Sequence, residues 1–148
     1  MTPKAVLERL IEALGLPRPA AYRGLRGRGQ AWERLAAKRL ETEGYRILDR
    51  NFRGRSGEID FVAEEGDTLC FVEVKGRSGS GFGSPAEAVT LEKQRRIVRT
   101  AEEYLIRRRL GSPRCRFDVV TILERGERSE VVVMRNAFED PGERSPRR

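Results

Sequence analysis

Four ionisable residues, spaced two apart in two short apolar segments, are the part of this sequence best suited to chemistry. Glu58 and Asp60 lie in the first segment, and Glu73 and Lys75 lie in the second. Because side chains alternate along a β-strand, each pair is predicted to share one face of its strand. Carboxylates beside an ammonium group can hold a cation, transfer protons, or simply pair with one another.

The two segments are predicted to form a β-hairpin. Residues 57–63 and 68–75 have strand character and are separated by a short acidic turn that contains a glycine. With this turn, the numbers of residues that face each other sum to about 131 or 133, so that Asp60 lies across from Glu73 or diagonal to it. The predicted hairpin therefore gathers the charged residues within a few ångströms.

A bound divalent cation would explain this concentration of negative charge. Like charges that face each other destabilise a sheet, and Lys75 alone does not neutralise three carboxylates. Asp60 is also a poor strand residue, placed between Ile59 and Phe61, which are predicted to share the opposite face. Carboxylate oxygens, with the Val74 carbonyl, suit Mg²⁺ or Mn²⁺. The commoner explanation of such a pattern, an amphipathic hairpin with ion pairs on its solvated face, stays open at this point.

Helical and strand periodicities surround the hairpin on both sides. The predicted elements are a helix over Gln30–Glu43, a strand over Tyr45–Phe52, a helix from Ser84 to about Arg109 with a break near Thr90, and strands over Arg116–Leu123 and Glu130–Met134. The order α-β-β-β-α-β-β predicts an α/β fold, a mixed sheet flanked by helices. Trp32 lies on the apolar stripe of the first helix and is predicted to pack in the core, whereas Asp118, in a buried strand, is predicted to pair with an arginine.

The length of 148 residues predicts one folded domain with polar ends. We assign residues 1–27 to an N-terminal helix and a flexible basic linker, residues 28–139 to the folded domain, and residues 140–148 to a disordered tail. No apolar run approaches the ~20 residues that cross a bilayer, and no targeting signal is evident. We therefore expect a cytoplasmic protein without a membrane partner.

The charge balance favours a polyanionic partner, nucleic acid first. The 30 basic residues exceed the 23 acidic ones, for a net charge of +7 and a pI near 10.1. Arginines near the acidic hairpin are the candidate contacts to backbone phosphates: Arg53, Arg55, Arg77, Arg95, Arg96 and Arg99. Because only four of the 30 basic residues are lysines, a biased genome composition is the alternative explanation. The absence of histidine excludes Ser-His-Asp and Cys-His catalysis.

The hairpin motifs resemble those of the PD-(D/E)xK nuclease superfamily, which includes restriction endonucleases and Holliday-junction resolvases. The motifs are Gly57–Asp60 and Phe71–Lys75, with Ile59 where the superfamily's name has proline. More narrowly, the chain is similar to the bacterial YraN family of endonuclease-like proteins. The segments that carry this second resemblance are Trp32–Ala37, Phe82–Val89, Lys93–Arg96 and Arg116–Val120, within a region from about Gly27 to Phe138.

The resemblance implies a restriction-endonuclease-like fold and a Mg²⁺-dependent or Mn²⁺-dependent DNA endonuclease. It makes Asp60 the central metal ligand, Glu73 the second ligand and Glu33 the residue that completes the acidic cluster. Lys75 would hold the attacking water or stabilise the charged transition state. The resembling families have a polar residue at the position of Gln94, which could reach the site or simply face solvent, and we add Glu58 as a further supporting position.

The resemblance implies DNA, branched or single-stranded, as the substrate, and a homodimer as in resolvase-like enzymes, although no interface is evident. Two other functions stay open. One is a catalytically silent protein that keeps the nuclease fold and binds nucleic acid. The other is a protein-interaction adaptor with residues 6–14 as its docking helix.

Overall fold

The structure, a computed structural model, describes residues 20–78 and 89–142. Its elements in chain order are α1 (Ala20–Thr42), β1 (Arg46–Arg53), β2 (Glu58–Glu65), β3 (Thr68–Ser78), α2 (Leu91–Arg107), β4 (Cys115–Arg125) and β5 (Arg128–Phe138). This order confirms the predicted α-β-β-β-α-β-β arrangement and the α/β fold. Neither described helix has an apolar stretch long enough to span a membrane.

The element boundaries differ from the prediction mainly at α1. The helix begins at Ala20, ten residues before the predicted start at Gln30, so residues 20–27 are helical where a linker was predicted. The glycines there have low helix propensity, but extending an existing helix costs far less than nucleating one. The helix predicted over residues 6–14, the predicted start of the second helix at Ser84, and residues 143–148 lie outside the described residues.

The strands form one mixed sheet in the order β1-β2-β3-β4-β5. Only β3 and β4 are parallel, and α2 lies in the crossover that such a pair requires. In the hairpin, Phe61 faces Val72 and Val62 faces Phe71. The residue numbers of each facing pair sum to 133, which confirms one of the two predicted registers.

Each face of the sheet packs against one helix. The layer on the α2 side contains Ile59, Val62, Leu69, Phe71, Ile97, Ala101, Tyr104 and Val119. The layer on the α1 side contains Ala36, Leu40, Tyr45, Phe61, Cys70, Val72, Val120 and Ile122. The sheet is therefore buried on both faces, and its central strands are apolar along most of their length.

The prediction that Ile59 and Phe61 share a face is wrong. Ile59 packs in the α2 layer, whereas Phe61 packs in the α1 layer. The neighbouring strand changes face at the same level, since Arg50 lies over the Phe61 ring while its second neighbour Phe52 packs in the α2 layer. Between them Asn51 has a left-handed φ of 52°, a conformation that interrupts the regular alternation of side chains.

A buried ionic cluster connects Tyr45, the residue before β1, to β4 and β5. Asp118 is fully buried, and its carboxylate accepts hydrogen bonds from Arg116 Nε, the Tyr45 hydroxyl and the Asn136 backbone N–H at 2.7–2.8 Å. Burial and the hydrogen bond to Asp118 raise the pKa of Tyr45, so the phenol stays a proton donor. The predicted arginine partner of Asp118 is thus confirmed as Arg116.

Trp32 holds α1 against the ends of β3 and β4. The indole Nε1 donates to Glu124 Oε1 at 2.7 Å, and the partly buried ring packs against the α1 layer, as predicted. The ring also lies directly over Gly76, where a Cβ atom would overlap three of its carbon atoms. A glycine is therefore required at this position for Trp32, and the next residue Glu33, to approach β3.

The replacement Gly76→Ala is expected to destabilise the protein by about 1–3 kcal/mol, because Trp32 must move to admit the methyl group. Urea unfolding followed by circular dichroism measures this loss. Gly29→Ala is the matched control, since Gly29 is helical with open space around it and alanine is favoured there. An equal effect of the two substitutions would contradict the close packing of Trp32 on Gly76.

Candidate active site

The acidic residue Asp60 lies where β2 and β3 separate. The paired register of the two strands ends at Phe61 and Val72, and Asp60 is the next residue along β2. Its Oδ2 accepts a hydrogen bond from the backbone N–H of Val74 at 2.8 Å. The aspartate side chain therefore takes the place of a strand partner for β3, which explains how this residue is accommodated within a sheet.

The carboxyl groups of Asp60 and Glu73 lie close together, Asp60 half-buried and Glu73 buried. Glu73 is 7% exposed. Burial raises the pKa of Asp60 well above its usual range, and the negative charges of Glu73, Glu33 and Glu58 raise it further, against the Val74 N–H that lowers it. The predicted concentration of negative charge around Asp60 is therefore present in the folded protein.

The partner of Glu73 is Lys93, a residue of α2. The Nζ atom of Lys93 lies 3.7 Å from Glu73 Oε1. Burial raises the pKa of the Glu73 carboxyl, while the positive charges of Lys93 and Lys75 and a hydrogen bond with Asp60 lower it. The two nearby ammonium groups thus offset part of the effect of burial on this carboxyl group.

Sequence reasoning did not place Lys93 in the site. A signal for it exists, because Lys93 precedes Ile97, Ala101 and Tyr104 at helical spacing, and these three are the buried stripe of α2. A cation that continues a buried stripe needs an anionic neighbour on the facing sheet. Glu73 lies on the face of β3 that packs against α2 and meets this need.

A polar pocket of about 240 Å³ lies beside the acidic pair. The described residues that line it are Lys75, Thr90, Glu92, Lys93 and Arg96. Arg96 pairs with Glu92 at 2.6 Å, and the Thr90 hydroxyl accepts the backbone N–H of Lys93 as the N-cap of α2. The two lysines leave this pocket positively charged next to a site that is negatively charged.

The remaining predicted acids surround the pair without joining it. Glu33 Oε2 accepts a hydrogen bond from Asn51 Nδ2 at 3.5 Å, and Glu58 Oε1 lies 3.9 Å from Arg53 Nε. Within residues 20–78 and 89–142, no group of three or more His, Cys, Asp or Glu side chains is arranged to hold a metal ion. Metal ligation by Glu33 and by the Val74 carbonyl therefore stays a prediction.

The donor chemistry nevertheless fits a hard divalent cation. Mg²⁺ is commonly held by only one or two carboxylates and keeps several waters. Asp60 and Glu73 supply two carboxylates whose mutual repulsion a cation would relieve. The Gln94 side-chain amide donates to the Val89 carbonyl at 3.0 Å, and a supporting role of this residue in the site stays a prediction.

The six arginines predicted to bind phosphate lie on β1, the β1–β2 connection, β3 and α2. Arg95, Arg96 and Arg99 are on α2, and Arg53 and Arg55 flank the β1–β2 connection. Some already have protein partners: Arg95 Nε donates to the Gly142 carbonyl and Arg96 pairs with Glu92. The side chain of Arg77 lies outside the described residues, and DNA contact by the six stays a prediction.

Comparison with known proteins identifies the family. Residues 32–122 match the sequence profile described as "Uncharacterised protein family UPF0102". A UPF0102 protein of Symbiobacterium thermophilum is 54% identical over 94 residues, which are 64% of this chain and 80% of that protein. One from Myxococcus xanthus is 43% identical over 122 residues, or 82% of this chain and 97% of the relative. The chain therefore belongs to family UPF0102, and this confirms the YraN-type resemblance of its motifs.

Proposed function

We propose that this protein is a metal-dependent endonuclease that hydrolyses phosphodiester bonds in DNA. The observation that carries the proposal is the placement of half-buried Asp60 and buried Glu73 at the end of a hairpin, with Lys93 paired to Glu73 and Lys75 lining the adjacent pocket. A purely structural hairpin gains nothing from burying two carboxylates against each other, because the arrangement costs stability. Charged groups that are buried together at a cost in stability are typical of sites that bind a ligand.

Each side chain of the pair has a defined part in this proposal. The Val74 N–H orients the Asp60 carboxylate, and the sheet buries Glu73 next to it. The two carboxylates are therefore already positioned in the metal-free protein. A bound Mg²⁺ or Mn²⁺ would lower the pKa of water and compensate the charge that develops on the phosphate. Lys75 lines the adjacent pocket, from which its ammonium group can hold the attacking water or donate to a phosphate oxygen.

The substrate class follows from charge and from the resemblance together. A net charge of +7 favours a polyanion, and arginines lie on the helix next to the acidic pair. Resemblance to Holliday-junction resolvases supports branched or single-stranded DNA as the substrate and a homodimer as the active form. Activity in the cytoplasm is part of the same proposal.

The test is hydrolysis by wild type and by Glu73→Gln, which keeps the shape of the side chain and removes its charge. With Mg²⁺ or Mn²⁺, wild type is expected to cleave supercoiled plasmid or a labelled four-way junction. Glu73→Gln is expected to lose at least about 100-fold in rate, the usual effect of removing one group that stabilises developing charge. Glu130→Gln, an exposed acid of β5, is the matched control and should keep full activity.

Equal cleavage by wild type and Glu73→Gln would show a contaminating nuclease and would overturn the proposal. Absence of cleavage together with salt-sensitive DNA binding would instead favour the silent nucleic-acid-binding alternative, because phosphate contacts weaken steeply as salt rises. Absence of both would favour the protein-interaction adaptor.

A further inference from the structure

Lys93 forms an ion pair with Glu73 in which the lysine is much more exposed than the glutamate. Its side chain is 34% exposed, whereas the Glu73 side chain that it contacts is 9% exposed. The buried partner is held in place by the sheet, and the exposed partner ends a flexible chain of four methylene groups. The ammonium group of Lys93 can therefore move away from Glu73 when another cation compensates the carboxylate.

A cation bound by Asp60 and Glu73 would compete directly with Lys93. The ammonium nitrogen lies 3.7 Å from the oxygen of a carboxylate that the proposed metal site uses. A divalent cation held by the same carboxylate would repel the ammonium group, and it would neutralise the carboxylate more completely than an ammonium group does. Occupation of the metal site would therefore weaken the electrostatic attraction between Lys93 and Glu73.

The pocket beside the acidic pair offers a second position for the ammonium group. Lys75 and Lys93 both line it, and Arg96 there is already paired with Glu92 at 2.6 Å. Its volume of about 240 Å³ leaves room for a phosphate group. Because Thr90 already caps the first turn of α2, attraction of an anion to this pocket rests on the lysine side chains.

We propose that Lys93 exchanges between two anionic partners: Glu73 in the metal-free protein, and a backbone phosphate of DNA in the adjacent pocket once a divalent cation is bound. This inference rests on the proposed function, since it requires the Asp60–Glu73 metal site. It makes metal binding and phosphate binding mutually favourable, because each ligand removes the competitor of the other. Lys93 thereby becomes a substrate-binding residue contributed by α2.

The test compares Lys93→Met with wild type in two binding measurements. Calorimetric titration with Mn²⁺ alone is expected to show tighter binding in Lys93→Met, by about 3–10-fold, because the competing charge is gone. Fluorescence anisotropy with a labelled single-stranded oligonucleotide carrying phosphorothioate linkages, which resist hydrolysis, is expected to show the opposite effect. With Mn²⁺ present, Lys93→Met should bind this DNA about 10-fold more weakly.

The salt dependence separates this role from a structural one. In the presence of Mn²⁺, loss of one phosphate contact should reduce the slope of log affinity against log salt by about 0.7, the value for one charge on a single strand. In EDTA the two proteins should have the same slope, since Lys93 is then held by Glu73. Lys38→Met, an exposed lysine of α1, is the matched control for a general loss of charge.

Weaker binding of both Mn²⁺ and DNA by Lys93→Met, or an unchanged salt slope with Mn²⁺, would overturn the exchange. Lys93→Arg, which keeps the charge, should retain the slope, and a loss of slope in this variant would contradict a purely electrostatic contact. Failure of wild type to bind Mn²⁺ would instead count against the metal site and thus against the proposed function. The two failures are therefore distinguishable.

Discussion

Replacing Asp118 with alanine is expected to lower the free energy of unfolding by about 3–5 kcal/mol, the cost of removing one partner from a buried ionic cluster. The substitution leaves the buried Tyr45 hydroxyl and the Asn136 N–H without their acceptor and removes the main partner of Arg116. Urea unfolding at neutral pH measures this loss. Asp118→Asn should lose less, because the amide oxygen still accepts one of these hydrogen bonds.

The matched control for this prediction is Asp67→Ala. Asp67 lies in the β2–β3 turn, and its carboxylate makes a 3.7 Å contact with Arg114, where both side chains are more than 70% exposed. An ion pair so exposed to solvent contributes little to stability. If Asp118→Ala and Asp67→Ala had similar unfolding free energies, the buried cluster would have no role in holding β1, β4 and β5 together.

Replacing Asp60 with asparagine is expected to have opposite effects on activity and on the stability of the metal-free protein. Hydrolysis should fall by at least about 100-fold, as for Glu73→Gln. Stability in EDTA at pH 8 should rise by about 1–3 kcal/mol, the usual scale for an uncompensated buried polar group. Asparagine keeps the hydrogen bond from the Val74 N–H and can donate to Glu73, so it removes the repulsion and preserves the geometry.

The raised pKa of Asp60 determines how the difference in stability between wild type and Asp60→Asn changes with pH. Burial and the charge of Glu73 raise the folded-state pKa of Asp60 above its unfolded value of about 4. Between these two pKa values the folded state binds more protons than the unfolded state, so stability falls as pH rises through this window. Asparagine does not titrate, and the advantage of Asp60→Asn should therefore appear only above about pH 4 and grow until the raised pKa is passed.

Unfolding curves in EDTA at several pH values measure this difference, with Asp67→Asn as a control at an exposed position. Addition of Mg²⁺ should then reduce or reverse it, because a ligand that binds only the folded wild type stabilises it by mass action. A variant less stable than wild type at every pH in EDTA would refute the idea that the pair is strained in the absence of metal.

Local rules were sufficient for the register of the hairpin, although not for the faces of the residues that flank Asp60. The acidic turn, the alternation of side chains and the short loop determine which residues of β2 and β3 face each other, and the register at Phe61 and Val72 follows from them. The same reasoning predicted an arginine partner for Asp118, because a carboxylate in an apolar strand requires one. The register depends on residues that are close in sequence. The pairing of Asp118 depends on the need of a buried carboxylate for a positively charged partner.

Other features depend on contacts between distant segments. Lys93 reaches Glu73 from α2, and Trp32 reaches Gly76 from α1, so each contact is decided by how a helix packs on the sheet. The change of face at Asn51 likewise depends on a left-handed backbone conformation that alternation rules do not anticipate.

The sequence by itself determined the family, the order of elements and the residues that carry negative charge on the hairpin, because each is encoded by residues near one another in the chain. Tertiary structure decided how Asp60 and Glu73 are buried together and which cation opposes them. The physical reason is that desolvation and charge pairing depend on distance in space, and the chain closes those distances only when both helices dock on the sheet.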